Sequence, residues 1–341
     1  GEWIKSMEEE IKALEENGTW VLVPRPQDKN VIDSKWVYKN KINGDGELQR
    51  RKSRLVAKGF RQIPGLDYNE SNLYSPVVRY KSLRIVLAIA NSQNYEVVQL
   101  DVNNAFLNAE IEEQIYMNLP EGYSINYKGK GKADLVCLLK KCLYGTKQAP
   151  FNWNKTINSF IVGTLGFDRC MTDSCVYVRV TASGKVIYIC LFVDDLVVTY
   201  HREDEKEWLK CKELLMKEYK MKYMGDICHL LGMKITRNRE LRTLEIDHVN
   251  YLTELLSKFN LSLCKPRSTP GEISSKLGEK EENEDNEDGG KKEEVSQVIK
   301  ELYSSGIGAL NYISLSSRPD ISYTTNVLSR YMTNPTHAAF I

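Results

Sequence analysis

The sequence predicts an α+β protein whose sheet is covered by helices on one side. Between residues 30 and 246, apolar runs of strand length alternate with amphipathic stretches of helical period. Two successive apolar strands turn back at Ser183-Gly184 and at Asp194-Asp195, as in antiparallel hairpins. With 341 residues the chain exceeds one ordinary core, so we expect two or three compact units.

The composition is typical of a globular protein. Hydrophobic residues make up 42% and charged residues 27% of the chain, which argues against general disorder. No apolar run approaches the roughly 18 residues that span a bilayer, so no membrane segment is expected. The eight cysteines show neither a C-x-x-C pair nor zinc spacing, and we expect reduced thiols in an intracellular protein. A start at Gly1 without a signal peptide is expected of a piece of a larger polyprotein.

The first 61 residues predict a helix and a basic hairpin. Apolar residues from Trp3 to Leu14 form one helical stripe that Asn17-Gly18 ends, which predicts an N-terminal helix within residues 1–19. Two strands flank a turn at residues 43–46. The stretch from Lys35 to Arg61 carries nine Lys or Arg against two acidic residues. Such a patch is either a footprint for phosphate backbones or a solvated hairpin face.

The middle of the chain predicts an alternation of helices and strands. Helices are expected at residues 82–91, from Ala105, from Pro150 and at 203–219. Strands are expected at residues 96–101, 115–117, 135–139, 175–178, 186–192, 197–200, 223–235 and 244–246.

The C-terminal part predicts helices on both sides of a linker. Asp247 can cap a helix that continues to Phe259. Residues 279–288 contain seven acidic residues in ten, which predicts a disordered acidic linker over 279–294. Residues 295–341 predict two or three further helices with breaks before two prolines.

Three carboxylates carry the main chemical prediction. Asp194-Asp195 occupies a tight turn between strongly apolar strands, where two adjacent buried carboxylates repel each other unless a cation neutralises them. Asp101 ends another apolar strand, and three such acids can surround two Mg²⁺ ions, an arrangement suited to nucleotidyl transfer. The alternative for the pair is that Asp is a common turn residue.

Longer motifs resemble one known family. In order, the stretches KWVYKNKINGDGELQRRKSRLVAKGF, YSPVVR, VVQLDVNNAFLNAEIEEQIYMNLPEGY, CLYGTKQAPFNWN and LFVDDLVV resemble the blocks of copia-type reverse transcriptases. Downstream, LLGMKI, KPRSTPGE and GALNYISLSSRPDISYTTNVLSRYMTNPTH resemble the segments that lead toward ribonuclease H in that family. The resemblance covers nearly the whole chain apart from the acidic stretch.

The resemblance implies a right-hand polymerase fold. Fingers and palm with an antiparallel sheet are expected over residues 20–246, a thumb-like helical segment over 247–278, and a helical connection toward an absent ribonuclease H domain over 295–341. The implied activity is RNA-directed DNA synthesis from dNTP on an RNA or DNA template, with two Mg²⁺ ions, or Mn²⁺ in their place. Implied partners are the template, a DNA primer strand, and integrase and ribonuclease H in the full polyprotein. The implied location is the cytoplasm, in a virus-like particle, and the nucleus.

Site residues are implied by the same resemblance. Asp101, Asp194 and Asp195 match the catalytic aspartates, and Val102 is expected to join them in the metal site. Phe106 matches the aromatic gate that excludes a 2′-hydroxyl.

Other implied residues surround the nucleotide and the primer. Asn104 and Ala105 are expected to offer backbone N–H groups to the triphosphate, and Gln148 to line the nucleotide pocket. Arg54 and Lys58 are expected to clamp the triphosphate from the basic hairpin, with Lys52 as an alternative. Residues 231–233, which are Leu231, Gly232 and Met233, resemble the primer grip.

Two alternatives stay open. The chain departs from the family pattern at Thr146 and Phe151, and loss of a basic residue at the second position would weaken template contact. One alternative is therefore a catalytically silent or co-opted nucleic-acid-binding remnant. The other is an RNA polymerase or another nucleotidyl transferase with a palm fold, which Phe106 disfavours.

Overall fold

The chain forms a mixed α+β structure, as predicted. The structure is a computed structural model that describes residues 1–42, 48–123, 135–271 and 297–335. It divides into two compact units, Gly1–Arg79 with Tyr95–Asp226, and Tyr80–Asn94 with Ile227–Ile341. Neither unit is continuous in sequence, and these boundaries differ from the expected division at residue 246. The expected linker at 279–294 and the hairpin turn at 43–46 lie outside the described residues.

Helices and strands follow the predicted order closely. The helices are α1 (Glu2–Glu16), α2 (Tyr80–Ser92), α3 (Ala149–Ser159), α4 (Glu205–Glu218), α5 (Val249–Lys258), α6 (Gln297–Ser316) and α7 (Ser322–Ser329). The strands are β1 (Trp20–Pro24), β2 (Val31–Ile32), β3 (Ser34–Ile42), β4 (Leu48–Ala57), β5 (Glu96–Val102), β6 (Tyr116–Asn118), β7 (Leu135–Leu139), β8 (Asp168–Arg169), β9 (Val176–Val180), β10 (Val186–Phe192), β11 (Asp195–Tyr200), β12 (Met221–Asp226), β13 (His229–Leu230), β14 (Met233–Asn238) and β15 (Thr243–Asp247). Among the described helices, none is both long and apolar enough to cross a bilayer.

The first unit contains a six-stranded sheet in the order β12-β5-β11-β10-β9-β8. Its central strands are apolar and buried, with Leu100 of β5 and Leu196 of β11 fully enclosed. Helix α4 packs on the sheet through Trp208, whose ring stacks on Tyr200 of β11 at 5.9 Å.

A second sheet and the basic hairpin complete this unit. The four strands β1-β7-β6-β2 form the second sheet, and β3 pairs with β4 in the predicted hairpin. Helix α1 is joined to the hairpin through Ser6, whose hydroxyl accepts from the backbone N–H of Ser53 at 2.8 Å. Strands β1 and β2 were not predicted.

The second unit combines three strands with α2, α5, α6 and α7. Strands β13, β14 and β15 form an antiparallel sheet. Helix α2 packs against β15 and α6. The single strand predicted at 223–235 is instead divided among β12, β13 and β14, with a tight turn at Leu231-Gly232.

Candidate active site

The paired aspartates lie at the hairpin turn between β10 and β11. Phe192 pairs with Asp195, so Val193 and Asp194 form the two-residue turn. On the neighbouring strand β5, Asp101 stands directly opposite Asp195. Directly opposite residues of an antiparallel pair have Cβ atoms about 4.5–5.5 Å apart on the same face. The fold therefore brings together acids that are 94 positions apart along the chain.

The turn is held in an unusual conformation. Val193 has a φ of 53°, which is rare for a β-branched residue. Two hydrogen bonds hold this turn. The indole N–H of Trp153 donates to the Val193 carbonyl oxygen at 2.6 Å, and the backbone N–H of Val102 donates to the Asp194 carbonyl oxygen at 2.8 Å. Helix α3 and the end of β5 thus support the turn that carries the paired acids.

The electrostatics of Asp195 reflect its neighbours. Burial raises the pKa of this carboxyl group above its ordinary value, and the charges of Asp194 and Asp101 raise it further. A hydrogen bond of 2.8 Å from the Gln99 side-chain amide to Asp195 Oδ1 opposes the shift. The three carboxylates are therefore close enough to interact, and their mutual repulsion is only partly relieved by the protein.

This donor set fits a divalent cation in its chemistry. Carboxylate oxygens are the ligands that Mg²⁺ prefers, and a cation would neutralise the charge that raises the pKa of Asp195. Within the described residues, no three His, Cys, Asp or Glu side chains are already arranged as a complete metal-ligand group. The Gln99 side-chain amide already engages one oxygen of Asp195.

Tyr144 contacts two of the predicted site residues, although the sequence did not predict a role for it. Its ring meets the ring of Phe106 edge to face with centroids 4.9 Å apart. The Arg54 guanidinium lies over the same ring at 5.4 Å from its centroid. Burial raises the pKa of the Tyr144 hydroxyl, Arg54 opposes the rise, and the charge of Asp194 adds to it. Tyr144 therefore contacts Phe106 and Arg54 of the basic hairpin, and it lies near enough to Asp194 for that charge to act on it.

A close backbone approach fixes the position of Tyr144. The Ala57 N–H, at the end of β4, donates to the Tyr144 carbonyl oxygen at 2.7 Å. Gly145 has a φ of 89°, and a Cβ there would collide with the Ala57 carbonyl oxygen. The only signal for this contact in the sequence is the position of Tyr144-Gly145 inside the CLYGTKQAPFNWN block.

The residues after β5 lie in a tight turn. Asn104 has a φ of 51° and precedes the short helix predicted from Ala105, which is the 3₁₀ turn Ala105–Asn108. The Asn104 carbonyl accepts from the Leu107 N–H at 2.9 Å. Backbone N–H groups at the start of such a turn lack partners within it, so those of Asn104 and Ala105 are suited to an anionic ligand.

Lys58 is engaged in an ion pair. Its ammonium lies 3.9 Å from the Asp33 carboxylate, and the Arg61 guanidinium lies 2.7 Å from the same carboxylate. Arg54 and Lys58 were both expected to clamp a triphosphate. In the structure Arg54 contacts Tyr144, whereas Lys58 is paired with Asp33.

Gln148, which was expected to line the nucleotide pocket, is buried in the structure. Its side chain is fully buried and accepts from the Gln62 amide at 3.1 Å. It donates to the Asp67 carbonyl and to the Glu113 carboxylate, both at 3.1 Å. The amide is thus committed to internal bonds that tie three loops together.

The turn at Leu231-Gly232 belongs to the second unit. It connects β13 to β14, and the φ values of 51° and 80° are those of a type I′ hairpin turn. Met233 directly follows and is buried. A tight two-residue hairpin is therefore found where the resemblance implied a primer grip.

Similar proteins identify the family of the chain. A sequence model of the family described as Reverse transcriptase (RNA-dependent DNA polymerase) matches residues 17–273. The Retrovirus-related Pol polyprotein from transposon TNT 1-94 of Nicotiana tabacum is 39% identical over 332 residues, which cover 97% of this chain and 24% of that protein. The corresponding polyprotein from transposon RE2 of Arabidopsis thaliana is 35% identical over 335 residues, covering 98% and 21%.

A more distant relative extends the comparison to yeast. The Transposon Ty1-DR4 Gag-Pol polyprotein of Saccharomyces cerevisiae is 29% identical over 321 residues, covering 90% of this chain and 18% of that protein. The chain thus spans about a quarter or less of the length of these relatives. Since the family model matches well over half of the chain, the chain belongs to the copia-type reverse transcriptase (RNA-dependent DNA polymerase) family.

Proposed function

We propose that the chain is an RNA-directed DNA polymerase of a retrotransposon Pol polyprotein, in which Asp101, Asp194 and Asp195 hold two Mg²⁺ ions, or Mn²⁺ in their place. The pairing of Asp101 with Asp195 across adjacent strands, beside the turn that carries Asp194, is the observation that carries this proposal. Val102, at the end of β5, would complete the metal site. The coupled charges that raise the pKa of Asp195 support it, because a cation relieves them.

We further propose a right-hand polymerase architecture. The six-stranded sheet of the first unit would be the palm, and the hairpin of β3 and β4 would belong to the fingers. Residues 247–278 would form a thumb-like segment and residues 295–341 a connection toward ribonuclease H. Because the relatives are Pol polyproteins, the chain would be joined to integrase and ribonuclease H domains in its full polyprotein. It would act inside a cytoplasmic virus-like particle and reach the nucleus.

The reaction is transfer of a nucleotide to a primer. The primer 3′-oxygen forms a bond to the α-phosphorus of a dNTP, the bond from that phosphorus to the bridging oxygen breaks, and pyrophosphate leaves. When bound, the metal ions would supply Lewis-acid stabilisation of the oxygens that gain charge. The protein would supply position and charge around the nucleotide.

Each neighbouring residue has a role in this proposal. Arg54 would bind the triphosphate, since a guanidinium offers a fork of N–H donors to phosphate oxygens. The backbone N–H groups of Asn104 and Ala105 would add donors. Phe106, supported by the Tyr144 ring at 4.9 Å, would exclude a 2′-hydroxyl and so favour dNTP over rNTP. Residues 231–233 would position the primer 3′ end.

A primer-extension assay tests the proposal. The wild-type chain is incubated with Mg²⁺, dNTP and a DNA primer annealed to an RNA template. We expect primer extension by the wild type and loss of at least about 10²–10³ in kcat for Asp195→Asn, because electrostatic groups of this kind contribute that much. Asp168→Asn, which removes an exposed acid from the edge strand β8 of the same sheet, is the matched control and should retain activity.

Other outcomes select the alternatives. A folded wild-type chain that binds RNA–DNA duplex with strong salt dependence and makes no product would be a nucleic-acid-binding remnant. Incorporation of rNTP as efficient as that of dNTP would favour an RNA polymerase. Synthesis undiminished in Asp195→Asn would remove the metal-site assignment.

A further inference from the structure

The hairpin turn at Leu231-Gly232 is bonded to a distant helix. The hydroxyl of Tyr312, in α6, donates to the Leu231 carbonyl oxygen at 2.5 Å. The same hydroxyl lies 2.9 Å from His248 Nε2, and His248 Nδ1 lies 2.7 Å from the Ser317 hydroxyl. Four residues therefore form one continuous hydrogen-bonded chain that ends on the turn.

The donors and acceptors assign a direction to this chain. Tyr312 has one hydroxyl proton, and the Leu231 carbonyl can only accept, so the Tyr312 oxygen accepts from His248 Nε2–H. The Nδ1 atom then accepts from the Ser317 hydroxyl. This is the pattern of neutral His248 in its Nε2–H tautomer. His248 is buried, and burial lowers its pKa, which agrees with the neutral form.

Packing holds the Tyr312 ring from three sides. The rings of His248 and Tyr251 meet it edge to face with centroids 5.0 and 5.2 Å away, and the ring of Tyr80 lies at 6.1 Å. These partners come from α2, from α5 and from the residue just before α5. The hydroxyl is therefore aimed at the turn by the surrounding elements rather than by its own helix alone.

The Leu231-Gly232 turn has a backbone conformation that its residues do not favour by themselves, so the bond from Tyr312 helps to hold it. Leu231 adopts a φ of 51°, a conformation that a branched side chain rarely takes. Gly232 has a φ of 80°, and a Cβ there would lie 2.8 Å from the Tyr312 hydroxyl. Glycine therefore suits position 232 for two reasons, because it accepts the left-handed backbone and leaves room for the tyrosine.

We propose that Tyr312, oriented by His248, is a positioning residue that fixes the Leu231-Gly232 turn for contact with the primer strand. The inference rests on the proposed polymerase function and on the proposed primer contact of residues 231–233. It adds that residues beyond the matched family region of 17–273 set the geometry of this contact. A chain ending at residue 273 would keep the turn sequence and lose the hydroxyl that holds it.

The test compares two tyrosine-to-phenylalanine variants in the full chain. Tyr312→Phe removes only the oxygen that bonds Leu231. Tyr303→Phe is the matched control, since its hydroxyl in the same helix donates to another backbone carbonyl, that of Leu328, at 2.7 Å. Amide hydrogen exchange is followed by mass spectrometry in peptides covering residues 228–235. The KM values for primer–template and for dNTP are measured separately.

We expect faster exchange at the turn and a primer–template KM raised about 3- to 10-fold in Tyr312→Phe, the range for one hydrogen bond. The KM for dNTP should stay unchanged, and Tyr303→Phe should resemble wild type in all three. His248→Gln should keep the exchange rate at the turn and the primer–template KM close to those of wild type, because the glutamine amide can still donate to Tyr312. His248→Leu removes this donor and should resemble Tyr312→Phe in both measurements.

Equal exchange at the turn in Tyr312→Phe and Tyr303→Phe would overturn the inference. So would an unchanged primer–template KM in Tyr312→Phe beside an active wild type. If the wild type makes no DNA, the proposed polymerase function falls, and the exchange data still decide whether Tyr312 holds the turn.

Discussion

The indole N–H of Trp153 donates to the carbonyl oxygen of Val193 at 2.6 Å. Val193 directly precedes the paired aspartates, and its φ of 53° is rare for a β-branched residue. A backbone in such a region persists only where its surroundings impose it, at a cost of about 1–3 kcal/mol. The bond from α3 is thus part of what keeps Asp194 and Asp195 in place.

Trp153→Phe should impair synthesis more than its effect on folding explains. The variant keeps an aromatic ring and leaves the Val193 carbonyl without its donor, so the turn is expected to relax. We predict a fall in kcat of about 10- to 100-fold, the range for residues that orient metal ligands. Trp208→Phe shortens an equally buried tryptophan, which stacks on Tyr200 instead, and serves as control. An equal loss of kcat in both variants would contradict the prediction.

Asp195→Asn should stabilise the fold at neutral pH while it removes activity. The pKa of Asp195 is raised above 3.8 by burial and by Asp194 and Asp101, against the bond from Gln99. The folded chain therefore binds this proton more tightly than the unfolded chain, and stability falls as pH rises from 3.8 through the raised pKa. Thermal unfolding should show a higher Tm for the variant at pH 7 and little difference near pH 3. Mg²⁺ should raise the Tm of wild type more than that of the variant.

Arg54 should matter more for dNTP binding than Lys58. Arg54 lies over Tyr144, next to the proposed gate, whereas Lys58 is paired with Asp33. We expect Arg54→Lys to raise the KM for dNTP about tenfold through loss of the guanidinium fork, since a hydrogen bond to a charged group contributes about 1.5–3 kcal/mol. Lys58→Met should raise it no more than about threefold, because the Lys58 ammonium is already paired with Asp33 and such partly exposed ion pairs contribute little. Steady-state kinetics with varied dNTP distinguish the two, and the reverse order would contradict the proposed clamp.

Sugar selection should depend on the pair of Phe106 and Tyr144. Phe106→Ala removes the proposed gate, and we expect rNTP incorporation relative to dNTP to rise by at least about tenfold, as for other steric exclusions. Tyr144→Ala should loosen selection in the same direction, because the Phe106 ring loses its neighbour at 4.9 Å. Tyr144→Phe keeps that ring contact and is the control. Single-nucleotide incorporation with each nucleotide gives the ratio of kcat/KM values, and an unchanged ratio in Phe106→Ala would contradict the gate.

Gln148→Ala should reduce stability and leave nucleotide binding unchanged. The side chain is fully buried and its bonds reach Gln62, Asp67 and Glu113. Buried groups that lose their partners cost about 1–3 kcal/mol each, so the free energy of unfolding should fall by at least that amount. Urea unfolding and the KM for dNTP are the two measurements. A raised KM for dNTP at unchanged stability would contradict this prediction and would favour the nucleotide-pocket role that the sequence resemblance implied.

Much of the fold was predictable because its elements have clear periods. Helix α1 and strands β5, β7 and β10 match the expected ranges within one or two residues, as alternation and apolar stripes would suggest. The stretch 223–235 was predicted as one strand, and the structure divides it among three strands with a turn that depends on Gly232. The strands β1 and β2 were not predicted, and in the structure they are defined by their pairing with β7 and β6.

The candidate site was predictable in its acids and not in its supports. Asp101, Asp194 and Asp195 were recognisable because carboxylates at the ends of apolar strands are uncommon. The sequence predicts a helix from Pro150 that includes Trp153, but the bond from its indole N–H to Val193 depends on the tertiary packing. Tyr144 meets Arg54 only because Gly145 permits a close approach to Ala57. Gln148 was expected at the nucleotide, and its burial depends on loops that the sequence does not bring together.

Helix α2 has a consequence for how the chain acquires its structure during synthesis. Along the chain, α2 comes between the two segments of the first unit. Its buried residues Leu83 and Leu87 belong to the second unit, whose other segment begins at Ile227. Because translation proceeds from the N-terminus, α2 leaves the ribosome well before β15 and α6, against which it packs. The apolar face of α2 is therefore exposed to solvent until β15 and α6 have been synthesised. An exposed apolar segment of this kind is one that a chaperone would bind.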